Sequence, residues 1–184
     1  MKQHYFLLAA GLAAMAAPAQ AAVTALGNSY ARTCYNAATS RFGGTEAIGE
    51  CDLAFRQENL SKPDRVATHV NRGILKLRLA DVDGAIADFD KAIRLDPGEA
   101  EAYLNKGMAL LRLPEGESQA IGEFDTALEK KTRRPAFAYY GRAIAHELNG
   151  RLKEAYRDYR QASALDPEWR DPRKELARFT VRQQ

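Results

Sequence analysis

The side chains that could act as nucleophiles, bases or metal ligands are few and scattered. The chain holds two cysteines, Cys34 and Cys51, and beyond its first residues two histidines, His69 and His146. A structural or catalytic metal needs three or four ligands held together, and no such group stands in this sequence. A redox pair favours the C-x-x-C spacing, which is absent. No G-x-S-x-G, phosphate loop or H-E-x-x-H occurs. Carboxylates are plentiful, but Asp83, Asp88, Asp90 and Asp96 fall on turns, helix faces and caps. His69 and His146 stand far apart in the sequence, where packing or solvation suits them better than base catalysis. The reading is a protein with no catalytic residues, no metal and no cofactor.

The two cysteines bear on where the protein resides. Met1, Lys2 and Gln3 form a short basic lead, residues 5–17 are apolar, and Ala19-Gln20-Ala21 fits a small-x-small cleavage site. That order predicts a signal peptide over residues 1–21 and a periplasmic or secreted mature chain. The apolar run is shorter than the roughly 20 residues a spanning helix needs, so membrane insertion is not expected. An oxidising setting favours a Cys34–Cys51 disulfide, with two buried free thiols as the alternative.

Charge excludes another class. Of 27 basic residues the signal peptide removes Lys2, leaving 26 against 24 acidic ones. That near-neutral balance gives no electrostatic case for nucleic acid. The arginines of the C-terminal tail alternate with Asp171 and Glu175, which reads as a solvated helix face.

The elements that carry these residues repeat. Gly73, Gly107 and Gly141 are spaced 34 and 34 apart; Ala85, Ala120 and Ala155 are spaced 35 and 35. Phe89, Phe124 and Tyr159 keep the second spacing, as do Ala92, Ala127 and Ala162. The offset implies turns that lengthen by a residue from repeat to repeat. Between turns, apolar residues fall at three- and four-residue steps, as in Ile74, Leu77, Leu104, Met108 and Leu111, which predicts helices and no strands. Each repeat is a helix, a turn and a second helix. Small residues let the pair approach and the aromatic fills the gap. Asp96-Pro97 and Asp166-Pro167 end the second helices, because proline lacks a donor and disfavours helix just before it.

These residues resemble the tetratricopeptide repeat. Gly73, Ala85, Phe89, Ala92 and Pro97 follow its pattern, as do Gly141, Ala155, Tyr159, Ala162 and Pro167; in the middle repeat Thr132 stands near the place of the proline. The resemblance implies an all-α solenoid of antiparallel helix pairs, with three repeats over residues 64–167. Residues 22–63 read as a degenerate first repeat, in which Ser29 to Ser40 forms the first helix, Phe42-Gly43-Gly44 the turn, and Cys51 takes the aromatic place. Residues 168–184 read as a capping helix, with Trp169, Leu176 and Phe179 closing the core. Phe137, Tyr139 and Tyr140 read as packing.

In such arrays the first helices line a concave groove that accepts peptides or partner helices. Near-copies stand there: "VNRGILKLRL" (70–79) and "LNKGMALLRL" (104–113). Asn71 and Asn105 match, as do Ile74 and Met108, and Arg78 and Arg112; the third repeat offers Tyr139 and Arg142. An Asn amide pairs with extended backbone and an Arg forks onto carboxylate. The expected role is an exported interaction module, an adaptor or assembly factor that binds a protein or peptide through these eight residues. The other reading is a structural subunit of an envelope complex that docks through its convex face or ends. Some relatives clamp a terminal carboxylate with Lys, Asn and Arg. Only Asn105 resembles that set; Val70, Ile74, Pro135 and Tyr139 occupy the other places, so that mode is not expected.

Overall fold

A computed structural model of the chain describes residues 29–40 and 44–179. The expected signal peptide, residues 41–43 of the first turn and the last five residues lie outside the described residues. The rest is helical: α1 (Tyr30–Thr39), α2 (Thr45–Gln57), α3 (Lys62–Arg78), α4 (Val82–Leu95), α5 (Ala100–Leu110), α6 (Glu117–Glu129), α7 (Pro135–Leu148), α8 (Leu152–Leu165) and α9 (Arg170–Leu176). The all-α expectation holds. Odd-numbered helices up to α7 are the first members of four pairs, and each packs on its own second helix and on its neighbours.

Local chemistry sets the helix ends. Ser29 caps α1 through Arg32 N–H, Ser61 caps α3 through Asp64 N–H, and Asp81 caps α4 through Gly84 N–H. Pro63 and Pro135 stand in first turns, where a missing donor costs nothing. Asp96 and Asp166 close α4 and α8 just before proline. Where Thr132 replaces the proline, α6 and α7 are joined differently. The Thr132 hydroxyl donates to Glu101 at 2.8 Å and accepts from Arg134 N–H, so the joint is fixed by side chains.

Packing follows the small-residue and aromatic pattern. Ala85, Phe89, Ala92, Ala120, Phe124, Ala127, Ala155 and Ala162 are fully buried, and Tyr159 is nearly so. A Cβ on Gly73 would stand 2.5 Å from Phe89, and one on Gly107 would stand 2.8 Å from Phe124. In the first pair a disulfide does this work: Cys34 and Cys51 are bonded, both fully buried, with their Cα atoms 4.9 Å apart. The thiol alternative is thereby removed.

The third repeat departs from the expected register. Gly141 packs against Phe124 of the preceding repeat, not against Tyr159. The buried Ala143, two residues on, holds the place of Gly73 and Gly107. The turns do not lengthen steadily either. Those over 79–81 and 149–151 are short; the one over 111–116 is longer, and a further residue enters the joint at 130–134. Beyond α8, the helical part of the capping segment is only Arg170–Leu176. Trp169 packs on Tyr140 at 4.6 Å and Phe179 on Tyr156 at 5.7 Å, against the last pair. Phe137 and Tyr140 are buried, and Tyr139 is half-buried.

Candidate partner-binding face

One side of the array is occupied by ions that satisfy one another. Arg72 forks onto Asp88 at 2.6 and 2.9 Å and reaches Asp52 at 2.5 Å. Lys106 lies 2.8 Å from Glu123 and 2.9 Å from Asp90. Arg142 forks onto Asp158 at 2.7 and 2.8 Å and also holds Asp125. The pattern is the same each time. A cation on a first helix takes the acid beside its own repeat's aromatic, plus an acid on the preceding second helix. These rungs tie consecutive pairs together.

Electrostatics follow the geometry. Burial would raise the Asp88 carboxyl, but hydrogen bonds from His69, Arg72 and Lys76 outweigh it and hold it well below the usual carboxylate range. The hydrogen bonds that Arg142 donates to Asp158 lead in raising its pKa, against the opposing effect of burial. His69 bonds Asp88 at 3.0 Å through Nδ1 and stacks on Phe55 at 4.3 Å. His146 is pushed down by burial. Both histidines belong to the packed rungs.

This corrects the expectation for Arg142, whose guanidinium is held by α6 and α8 and also lies 5.2 Å over the Tyr139 ring. The shifted register explains it. Arg142 precedes Ala143 as Arg72 precedes Gly73, so it is the equivalent of Arg72 and not of Ile74 or Met108.

The row of first helices is different in kind. Arg78 donates to the carbonyls of Ala37, Ala38 and Ser40 at the end of α1. Arg112 donates to Leu77 O, near the end of α3, at 2.5 Å. Each guanidinium thus meets the last-turn carbonyls and negative dipole end of the preceding first helix. Burial lowers both groups. The expected carboxylate-binding forks are therefore engaged with backbone. Ile74 and Met108 are buried. Asn105 turns its Nδ2 onto Glu101 O at 2.7 Å, within its own helix. Asn71, its counterpart, is 1% exposed and its Oδ1 has no partner.

Sequence reasoning passed over Glu101. It lies one turn before Asn105 on the same face, is 2% exposed, and has one carboxylate oxygen without a partner. The i, i+4 step from Asn105 was the available signal. The ladder acids were visible only as solvated charges.

The description "Tetratricopeptide repeat" matches residues 70–135 and again 136–169, together more than half of the chain. Serine/threonine-protein phosphatase 5 of Mus musculus is 33% identical over 91 residues, which is 50% of this chain and 18% of that protein. The chain spans about a fifth of the length of the first curated relatives it matches. Among solved structures, MamA 41-end from Desulfovibrio magneticus RS-1 superposes with a TM-score of 0.65 at 24% identity, covering 83% of this chain and 84% of that one. The first TPR of Spaghetti (RPAP3), bound to the HSP90 peptide SRMEEVD, gives 0.58 at 24%, covering 61% and 88%. At that identity the likeness is one of fold. With its helix pairs, buried Gly/Ala–aromatic wedges and both sequence matches, the chain belongs to the tetratricopeptide-repeat family.

Proposed function

We propose that this protein is an exported, non-catalytic interaction module that holds an extended partner segment along its row of first helices. Export rests on the order of basic lead, apolar run and cleavage site in residues 1–21. The Cys34–Cys51 disulfide suits an oxidising compartment. That a fold neighbour holds a peptide supports the mode of action.

The observation that carries the binding face is the Asn71 amide. Its Oδ1 is buried and unpartnered, a condition that costs about 1–3 kcal/mol. By contrast, the buried acids Asp88 and Asp158 have both oxygens bonded, whereas Asn71 Oδ1 stands open. A partner N–H would satisfy it. The working set on this face is Asn71, Ile74, Asn105 and Met108, with Arg78 and Arg112 holding the helix ends.

The test is selection of random displayed peptides on the chain from Ala22 onward, followed by Asn71→Leu. Leucine removes the unsatisfied acceptor at similar volume. The variant should melt at or above the wild-type temperature and bind selected peptides at least tenfold more weakly. A free terminal carboxylate and its amide should bind alike. Unchanged affinity in Asn71→Leu would move the function to another face, such as the convex side or the ends.

A further inference from the structure

The Glu101 carboxylate is half satisfied. Its Oε1 accepts the Thr132 hydroxyl and Arg133 N–H, both at 2.8 Å. Its Oε2 is buried without a partner, in a residue 2% exposed. Among the described residues no Lys, Arg or His lies within ion-pair distance of it. The nearby Arg134 stacks on Phe137, at 4.1 Å from the ring, and attracts Glu101 only through space, with no hydrogen bond to Oε2. Burying a carboxylate is expensive unless both oxygens find donors. The array shows how it meets that cost elsewhere. Asp88 has both oxygens engaged by His69, Arg72 and Lys76, and Asp158 has both engaged by Arg142. Glu101 is the exception.

The fold does not require an acid there. In register with Gly73, Gly107 and Ala143, the same place holds Ala67 in α3 and Phe137 in α7. Glu101 shares its helix face with Asn105, whose Nδ2 bonds its carbonyl. Asn71 holds the Asn105 place on α3, which packs on α5. The face therefore presents two buried free atoms, Glu101 Oε2 and Asn71 Oδ1, and both are acceptors.

We infer that the first-helix row seats a lysine or arginine side chain of the partner segment against Glu101 Oε2, while Asn71 Oδ1 takes another N–H of the same segment. Ammonium and guanidinium groups carry donors and no acceptors, which is the complement these two atoms need. A carboxylate in that seat would meet like charge. This inference rests on the reading that the first-helix row holds a partner segment.

The experiment uses the peptides selected on the wild-type chain. A lysine or arginine should recur at one position of their common motif. A synthetic peptide with norleucine at that position should lose at least tenfold in affinity for the wild type. Against Glu101→Gln, which keeps Oε1 as acceptor for Thr132 and Arg133, the same change should cost less than twofold. Melting temperatures of the two proteins confirm equal folding. A motif with no fixed basic residue, a norleucine peptide that binds the wild type normally, or an equal loss on Glu101→Gln each overturns the inference and leaves the binding face standing. Failure to select any peptide overturns the face and this seat together.

Discussion

Ala80 and Gly150 occupy the same place, the middle of the turns over 79–81 and 149–151. Both are left-handed, with φ of 64° and 72°, and both follow the same pair of turn hydrogen bonds back to the preceding helix. Glycine adopts that conformation freely, whereas a Cβ makes it costly by about 1–2 kcal/mol. Ala80→Gly should therefore stabilise the protein by about 0.5–1 kcal/mol after its greater freedom in the unfolded chain is deducted. Urea unfolding followed by circular dichroism checks this; a lower midpoint would refute it. Residue-level reading of the sequence succeeded where the residue type has one physical use. Phe89 and Phe124 fill the gap over Gly73 and Gly107, and their spacing shows it. It failed at Gly141. That glycine recurs at the same interval but makes room for Phe124 of the preceding repeat. Alanine at 143 serves the closer approach to α8, and an alanine in an alanine-rich helix carries no distinguishing mark.

At the scale of elements, the first helix pair is held in a way the others are not. Its wedge is the Cys34–Cys51 bond, and that bond closes a loop across a sequence separation of 17. Constraining a loop of that length in the unfolded chain contributes about 3 kcal/mol in the chain-entropy account. Replacing both cysteines with alanine should lower unfolding stability by about that amount. The three following pairs, which have their own aromatic wedges, should keep most of their helical signal at temperatures where the first pair has melted. A variant with the wild-type melting profile would show that the bond is dispensable. The pairing was legible because only two cysteines exist and both fall at wedge positions. The α6–α7 joint was not legible, because Thr132 and Glu101 meet there from different repeats.

Across the whole molecule, the three rungs convert separate helix pairs into one body. Asp88 is the most heavily bonded group in them, and its carboxyl titrates below its unfolded value. Its contribution is therefore complete above about pH 4 and is lost as acid protonates it in the folded state. Asp88→Asn leaves Arg72 and Lys76 without their buried counter-charge and should cost about 3 kcal/mol at neutral pH. The gap between variant and wild type should narrow steadily between pH 4 and pH 2, read from urea midpoints. A gap that stays constant down to pH 2 would mean the carboxylate charge is not what stabilises the rung. The rungs were the least legible part of the fold. Each cation draws one acid from its own repeat and one from the repeat before, so neither falls at a helical step from it. In the sequence they look like any solvated charge.

Because a rung is shared across a repeat boundary, repeats are interchangeable parts. Excising residues 66–99 would remove Arg72, Asp88 and Asp90 together and bring Lys106 to the place Arg72 held, facing Asp52. Arg112 would likewise arrive where Arg78 meets the end of α1. No half-rung would be stranded. Such a chain can be shortened or extended by whole units through recombination, and each new junction heals itself from charges already in place.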